Sequence, residues 1–285
     1  MNREHSESSP PAPQGRGGAL DQREGALDAR GWSDVTALRM ARYAQLAYAE
    51  PHEIFASALV AGAKDVIPFT AENEAGLIVD YGTSAVLAIR GTDDAQDWIR
   101  NLNYRQKPLP GFGHVHRGFD IGWQSILDRI TPILASLTTR RLWITGHSRG
   151  GSLALRALAD LRATFDIGQV HAFEPARVFD DAAAETIDRL HWREVFTYTN
   201  GADVVPRVPP RYIWHWRRPR LLRYEHVGRR VHATVTGTVL LQPTRLKLLA
   251  DRLMAYAAWR TKPGLASIAN HDIELWIRQL ERMVR

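Results

Sequence analysis

The sequence predicts an α/β protein with a mostly parallel central sheet and helices on both faces. Short apolar runs that suit buried strands alternate along the chain with longer segments whose apolar residues recur at helical spacing. Strands that alternate with helices in this way form parallel sheets whose two faces are both covered. With 285 residues, of which 45% are hydrophobic and 24% charged, the chain can bury a full core.

The predicted elements follow one another along residues 31–285, which show no repeat or linker and are expected to form one domain. A first helix covers 34–49 and is closed by Pro51, and two short strands at 77–80 and 85–90 flank a turn. The elements that follow are a helix over 119–137, a strand at 142–145, a helix over 152–163, a strand at 170–173, a helix over 181–190 and a strand at 194–199. A strand-rich section over 213–227 and 231–241 then leads to helices over 244–260 and 272–283.

Residues 1–30 combine acidic residues with Pro, Gly and Ser, and we predict that they form a disordered tail. They lack the apolar stretch of about 7–15 residues that marks a secretory signal, so a cytoplasmic protein is expected. No apolar run approaches the roughly 20 residues of a membrane span.

Composition excludes several kinds of chemistry. The chain has no cysteine, which excludes disulfides, zinc–thiolate sites, iron–sulfur clusters and a thiol nucleophile. The formal net charge of +6 suits nucleic acid or an anionic membrane, but equally a plainly solvated surface rich in arginine. Because no segment joins basic residues to a nucleic-acid-binding signature, no nucleic-acid partner is expected.

The segment Gly146-His147-Ser148-Arg149-Gly150 lies between a strand candidate and an Ala- and Leu-rich helix candidate. A strand-to-helix turn that projects a serine from the carboxyl end of a sheet is too tight for side chains at the two glycine positions. The pattern is common by chance, but this context favours a nucleophile elbow over a structural glycine turn. We therefore predict the α/β-hydrolase fold, with Ser148 as the nucleophile.

A serine hydroxyl becomes reactive when an imidazole takes its proton and a carboxylate holds that imidazole. In this fold the three groups follow in the chain order Ser, Asp, His. Asp203 comes directly after the predicted strand that ends at Thr199, so it is the candidate acid. Three rivals lie in or beside the helix over 181–190, where surface solvation is the simpler explanation: Asp180, Asp181 and Asp188.

Four histidines follow Asp203, and spacing alone does not choose among them: His215, His226, His232 and His271. His271 lies just before the last helix, where a base can reach over the sheet edge. His215 and His226 belong to the strand-rich section, where a structural histidine is the usual case.

The negatively charged oxygen of the tetrahedral intermediate needs two backbone donors, and this fold takes one from the residue after the nucleophile, here Arg149. The second comes from a loop after an early strand, and Arg90-Gly91-Thr92 has that position. A plain strand end is the alternative interpretation of this turn.

Six ordered blocks of the chain resemble the class 3 lipases, the family that includes the filamentous fungal triacylglycerol lipases. The resemblance covers most of residues 35–283. The blocks are Ala44–Tyr48, Arg90-Gly91-Thr92 with Asp97-Trp98-Ile99, Val115–Phe119, Gly146–Gly151, Asn200–Pro210, and His271 with Trp276. This resemblance implies Ser148 as nucleophile, Asp203 as acid, His271 as general base, and Thr92 with Arg149 as the oxyanion pair.

The resemblance also implies that Asp94–Leu102 corresponds to the family's amphipathic lid. Trp98, Ile99 and Leu102 fall on one face of a helix there, although a fixed helix that faces the core explains the same pattern.

Three positions depart from the family pattern. The family usually has leucine where Arg149 stands, so this cation either lines the acyl entrance or reaches a surface carboxylate. Residues 173–179 read FEPARVF where the family tends to carry Phe-Gly-x-Pro-Arg-Val-Gly, so the loop beside the active site differs. The family's tyrosine near the final histidine is Trp276 here.

The basic and aromatic stretch Trp214–Arg220 suits a lipid interface, since Trp prefers the headgroup region and Arg pairs with phosphate. Peripheral contact with an anionic membrane surface is one interpretation, and a packed hairpin with outward arginines is the other.

Together these observations predict a serine hydrolase that cleaves carboxylic esters through an acyl-enzyme, with no metal or organic cofactor. Acylglycerols or simple esters are the expected substrates, and a phospholipase A-type activity is the next choice because of the basic surface. A non-catalytic lipid-binding relative is a further alternative, against which the intact Ser148, Asp203 and His271 argue.

Overall fold

A computed structural model describes residues 31–92, 103–201, 203–215, 220–261 and 271–285. Three features predicted from the sequence lie outside these residues. They are the tail at 1–30, the lid segment with Trp98, Ile99 and Leu102, and residues 216–219 at the centre of the basic aromatic stretch.

The secondary structure follows the predicted alternation. The described strands are β1 (Asp65–Ala71), β2 (Glu74–Asp80), β3 (Ala85–Ile89), β4 (Gln106–Leu109), β5 (Gly113–His116), β6 (Arg141–His147), β7 (Asp166–Phe173), β8 (Val195–Asn200), β9 (Tyr212–His215), β10 (Arg220–Arg223), β11 (Arg229–Ala233) and β12 (Val239–Leu241). The described helices are α1 (Asp34–Leu46), α2 (Pro51–Ala56), α3 (Arg117–Ser136), α4 (Arg149–Leu161), α5 (Asp181–His191), α6 (Arg245–Thr261) and α7 (Ile273–Val284), with short 3₁₀ helices at Ala58–Val60 and Val205–Arg207.

The main sheet has the strand order β1–β2–β3–β6–β7–β8–β11–β12 within the described residues. The five central strands β3, β6, β7, β8 and β11 run parallel to one another. At the two edges, β1 pairs antiparallel with β2, β2 with β3, and β12 with β11. The hairpin predicted around residues 81–84 is present as β2 and β3. Strand β1 was not predicted. Within the described part of the chain, β9 and β10 form a separate two-stranded sheet.

Two apolar cores lie on opposite faces of this sheet, and successive residues of β3 show the division. Leu87 and Ile89 pack into the core under α3, α4 and α5, whereas Val86 and Ala88 pack into the core under α1 and α7. This alternation follows from the two-residue period of a strand. Burying one such aliphatic side chain contributes about 1.5–3 kcal/mol, so both helical layers are held firmly on the sheet.

Polar side chains fix the starts of several helices by accepting hydrogen bonds from the first turn. Ser33 accepts from the backbone N–H of Thr36 at 3.1 Å, and Asp272 accepts from that of Glu274 at 2.9 Å. Such capping satisfies donors that have no partner within the helix. The Asp272 cap sets where α7 begins and thus where the residue before it, His271, is held.

The two terminal helices of the described domain pack together on one face. Arg42 in α1 donates to Glu281 in α7 at 3.1 Å, and both helices contribute to the same apolar core. The position of α7 over the sheet therefore depends on α1.

None of the described helices is both long and apolar enough to cross a membrane. Helix α6 nevertheless exposes apolar side chains to solvent, with Leu246 76% exposed, Leu253 61% and Tyr256 58%.

His171 in β7 is a wholly buried histidine inside the sheet. Its Nδ1 lies 2.8 Å from the Tyr198 hydroxyl and its Nε2 lies 2.8 Å from Oε1 of Gln169. Burial lowers the pKa of His171 to about 3, so the ring is neutral in the folded protein.

Unfolding returns the pKa of His171 to its ordinary value, so the unfolded chain binds a proton that the folded chain does not. Between the unfolded pKa of 6.5 and the folded pKa of about 3, the free energy of unfolding should fall with falling pH. This single group contributes a slope of about 1.4 kcal/mol per pH unit. Urea unfolding at a series of pH values should show a shallower slope for His171→Gln than for wild type, and equal slopes would contradict the assignment.

Candidate active site

Ser148 occupies a sharp turn between β6 and α4. Its φ of 58° and ψ of −125° lie in a region that residues with a side chain rarely adopt. The flanking glycines make the turn sterically possible, because a Cβ at Gly146 would lie 2.4 Å from the backbone of Gly150, and one at Gly150 would lie 2.2 Å from the carbonyl oxygen of Ile89. This is the geometry of a nucleophile elbow.

Asp203 and His271 meet at the same end of the sheet although they are 68 positions apart in the chain. Nδ1 of His271 lies 2.7 Å from Oδ2 of Asp203. The other carboxylate oxygen of Asp203 accepts from the backbone N–H of Val205 at 2.9 Å. Asp203 is wholly buried, so a loop after β8 and the start of α7 hold the pair together away from water.

The reactive atoms of the serine and the histidine are left free for chemistry. Among the described residues, Oγ of Ser148 and Nε2 of His271 are buried and have no hydrogen-bond partner. Nε2 is the nitrogen that would take the serine proton, since Nδ1 is committed to the acid.

Two of the rival histidines have other partners. His226 contacts the carbonyl oxygen of Pro206 at 2.7 Å, and His232 lies between Thr199 and Asp251 at 2.9 and 3.0 Å.

The rival aspartates also have structural roles. Asp180 caps α5 by accepting from the backbone N–H of Ala183 at 2.9 Å, Asp188 accepts from the backbone N–H of Gly228 at 2.6 Å, and Asp181 accepts from Arg223 at 3.1 Å. Of the carboxylates weighed from the sequence, the structure brings Asp203 to the histidine.

The two candidate oxyanion donors come from separate segments of the chain. Arg149 is the first residue of α4, where backbone N–H groups lack partners within the helix. Gly91 lies so close to the nucleophile that an added Cβ would be 3.1 Å from Cβ of Ser148, and Thr92 is the next residue. The loop after β3 thus approaches the elbow, as a second donor at Thr92 requires.

The side chain of Arg149 turns toward Glu74 in β2 and forms an ion pair with this buried carboxylate. Its Nε donates to Oε1 of Glu74 at 3.0 Å, and a second guanidinium nitrogen donates to the same oxygen. The guanidinium also lies 5.9 Å from the centre of the Phe119 ring. The arginine reaches a carboxylate, but a buried one in β2 and not the surface carboxylate that the sequence suggested.

A second carboxylate, Glu174, faces the same histidine. It directly follows β7 with a φ of 50°, the left-handed region that favours the glycine usual at this position in the family. Its Oε2 lies 3.1 Å from Nδ1 of His271. Its Oε1 accepts from the indole N–H of Trp276 at 3.1 Å. The sequence marked both Glu174 and Trp276 as departures from the family but did not indicate that they contact each other.

The elbow histidine, His147, completes this cluster. Its Nε2 lies 3.4 Å from Oε2 of Glu174, and its Nδ1 lies 3.1 Å from the Tyr48 hydroxyl. Burial, with a further contribution from the charge of His271, lowers the pKa of His147 to about 3. A neutral His147 carries one N–H, and this network assigns it to Nε2, facing Glu174.

The electrostatics of the site are dominated by burial and by the two carboxylates. Burial and the charge of Glu174 raise the pKa of Asp203 to about 6, against the lowering effect of His271. Burial also raises the pKa of Glu174. Burial alone would lower the pKa of His271, but the hydrogen bonds and charges of Asp203 and Glu174 outweigh it and raise that pKa.

Three of these residues also have the spacing of metal ligands. Ligand atoms of His147, Glu174 and His271 lie within 4.8 Å of one another. The 2.7 Å contact between Nδ1 of His271 and Asp203 needs a proton between nitrogen and oxygen, so that nitrogen has no lone pair to offer a cation. The cluster therefore suits a hydrogen-bond network better than a metal centre.

Comparison with known proteins identifies the family. The model of the family described as Lipase (class 3) matches residues 86–213. The secreted mono- and diacylglycerol lipase A of Penicillium camembertii is 31% identical over 217 residues, which cover 73% of this chain and 67% of that protein. The chain belongs to the class 3 lipases.

A second relative of this lipase is the secreted mono- and diacylglycerol lipase 1 of Fusarium solani, 32% identical over 132 residues. That alignment covers 44% of this chain and 39% of the Fusarium protein, so less than half of the relative is matched.

Solved structures show the fold. The mono- and diacylglycerol lipase of Aspergillus oryzae superimposes with a TM-score of 0.59 at 20% identity, covering 75% of this lipase and 87% of that chain. A lipase of Rhizopus microsporus var. chinensis gives a TM-score of 0.59 at 19% identity, covering 85% and 87%. The predicted α/β-hydrolase fold is confirmed.

The expected cytoplasmic location is wrong. The relatives from Fusarium and Penicillium are named as secreted lipases. That expectation depended on finding neither a secretory signal in residues 1–30 nor a membrane-spanning segment, and such an absence does not determine where a protein acts.

The Arg149–Glu74 pair makes a prediction about stability. Arg149→Leu should lower the free energy of unfolding by about 3–5 kcal/mol, because it leaves a buried carboxylate without its partner. The double variant Arg149→Leu with Glu74→Leu should recover most of that loss, and urea unfolding measures both.

The same double variant tests the role of the arginine in catalysis. Since Arg149 would serve the oxyanion only through its backbone N–H, a folded double variant should keep its rate on a soluble ester. A large loss of rate in a stable double variant would show instead that the guanidinium is needed.

Proposed function

We propose that this chain hydrolyses carboxylic esters of lipids by forming an acyl-enzyme on Ser148. The observation that carries the proposal is the buried pair of Asp203 and His271, joined at 2.7 Å beside a serine in a nucleophile elbow. Membership of the class 3 lipases supports the same chemistry.

The reaction begins when Oγ of Ser148 attacks the ester carbonyl and Nε2 of His271 takes its proton. Asp203 stabilises the imidazolium that forms, and the backbone N–H groups of Thr92 and Arg149 donate to the negatively charged oxygen. Collapse of the intermediate breaks the bond to the alcohol, which receives the proton from His271. A water molecule activated by the same histidine then attacks the acyl-enzyme and releases the acid.

Mono- and diacylglycerols are the substrates we propose, because relatives from Fusarium and Penicillium carry those names. The proposed setting is extracellular, as for those secreted proteins. Ser148 is only 1% exposed, so an ester reaches Oγ only after neighbouring residues move aside. We propose that a lipid surface promotes this opening.

Contact with a lipid surface has two candidate regions. Tyr212 and Trp214 in β9 are 54% and 63% exposed, more than aromatic side chains usually are in a folded protein. Helix α6 adds Leu246 and Leu253, which lie beside basic residues of the same helix. Exposed apolar groups interspersed with cations suit the interface of an anionic membrane.

Ser148→Ala should lower the hydrolysis of p-nitrophenyl butyrate by about 10⁴-fold or more, because no other group replaces the nucleophile. The matched control is Ser136→Ala, an exposed serine of α3, which should leave the rate unchanged. An inactive wild type, or a Ser148→Ala variant of full activity, would exclude the mechanism.

A substrate panel separates the remaining alternatives. Monoacylglycerol, diacylglycerol, triacylglycerol and phosphatidylcholine, each assayed below and above aggregation, distinguish a mono- and diacylglycerol lipase from a phospholipase. A non-catalytic lipid-binding protein would fail to react with an activated phosphonate, whereas the proposed enzyme should be labelled at Ser148.

Flotation with vesicles tests surface binding. Wild type should float with vesicles that contain anionic phosphatidylglycerol, and the Tyr212→Ser and Trp214→Ser double variant should float less because apolar contact is lost. Wild type that stays unbound to these vesicles would exclude the membrane contact.

A further inference from the structure

The base of the proposed triad contacts two acids where one would suffice. Nδ1 of His271 lies 2.7 Å from Asp203 and 3.1 Å from Glu174. The ring nitrogen carries a single N–H, so the two carboxylates compete for the same donor. Both acids are wholly buried, and neither can be regarded as a solvated bystander.

Two neighbouring side chains and its own backbone conformation hold Glu174 in this position. The indole of Trp276 donates to one carboxylate oxygen at 3.1 Å, and His147 lies 3.4 Å from the other. The imidazole rings of His147 and His271 are 4.7 Å apart between centres, so Glu174 bridges the elbow and the base. Its left-handed backbone, with a φ of 50°, directs the side chain into this space.

We propose that Glu174 is a second acid of the site, a positioning residue that shares the Nδ1 proton of His271 with Asp203. Glu174 stands next to the carboxyl end of β7, and Asp203 follows the neighbouring strand β8, so two adjacent strands each present one acid to the base. This inference deepens the proposed ester hydrolysis and rests on it.

The two carboxyl groups act as one unit. An oxygen of each lies within 3.1 Å of Nδ1 of His271. Two negative charges in a buried site repel, and the charge of Glu174 helps to raise the pKa of Asp203. Either acid can accept from Nδ1 and stabilise the imidazolium.

The consequence for catalysis is redundancy. In a triad with one acid, replacing that acid by its amide lowers kcat by about 10⁴-fold, because the amide leaves the histidine in the wrong tautomer. Here Glu174 remains in contact with Nδ1 after Asp203 is neutralised, so much of that function should persist.

A double-mutant cycle on kcat for p-nitrophenyl butyrate tests the redundancy. Asp203→Asn should lower kcat by about 10²-fold or less, Glu174→Gln by less than about 10-fold, and the two together by about 10⁴-fold, with KM little changed. The double loss should thus exceed the product of the single losses. An Asp203→Asn loss of the full size with no further effect of Glu174→Gln would overturn the proposal.

The pH dependence provides a readout that a merely structural residue would not alter. Removing the negative charge of Glu174 lowers the pKa of His271, so more of the neutral base is present at lower pH. The acid limb of kcat/KM should therefore move to lower pH in Glu174→Gln. An unmoved acid limb in a folded, active variant would contradict the proposed contact.

A control variant separates the effect of the Glu174 charge from any effect of a changed backbone at this position. Glu174→Gly keeps the left-handed backbone, and Trp276→Tyr removes the indole donor, so the double variant carries the residues usual in the family. Its acid limb of kcat/KM should be displaced as in Glu174→Gln. When Asp203→Asn is added, kcat should fall by about 10⁴-fold, the loss expected when a triad loses its sole acid.

Titration of the resting protein keeps the test independent of ester hydrolysis. The imidazole resonances of His271, followed by NMR, should titrate at lower pH in Glu174→Gln than in wild type. If wild type hydrolyses no ester, the proposed function fails, while this titration still decides whether Glu174 acts on His271. If wild type is active and the titration is unchanged, only the second acid is excluded.

Discussion

The close approach of three backbone segments at the elbow governs the rest of the structure. Strand β6 turns into α4 with the carbonyl of Ile89 and the backbone of Gly91 pressed against it. The distance from an added Cβ to the nearest backbone atom would be 2.4 Å at Gly146, 2.2 Å at Gly150 and 2.6 Å at Gly91. Contacts this short exclude any side chain but hydrogen. The serine can project from the sheet only because this corner is packed with bare backbone.

The parallel sheet then brings residues that are far apart in the sequence close together in space. Strands β6, β7 and β8 lie side by side in the order in which they occur in the chain, so the residues that follow them meet at one edge. Ser148, Glu174 and Asp203 each follow one of these strands. The base comes from outside the sheet, from His271 two residues before α7, and α7 rests on the opposite face from α4.

Much of this was predictable from the sequence because it depends on local pattern. The glycines of the elbow lie between a predicted strand and a predicted helix, which indicated Ser148. Asp203 directly follows a predicted strand, which indicated the acid. Sequence spacing alone did not distinguish His271 from the three other histidines after Asp203, because its place in the structure depends on how α7 docks. The contact between Glu174 and Trp276 was not predictable, because it depends on a left-handed residue in one loop and on the rotation of a helix 102 positions away. Strand β1 has a proline and alternating burial, so its apolar signal was weak.

Helix α7 rests on α1, joined through Arg42 and Glu281 and through a common apolar core. His271 thus lies at the start of a helix that is synthesised after every described strand of the sheet, and that helix is held by α1 through a contact between residues 239 positions apart. A nascent chain that has already folded its sheet and elbow still lacks this histidine. The proposed triad is completed only when α7 docks on α1, so a chain that is still being synthesised does not yet have the arrangement that we propose for ester hydrolysis.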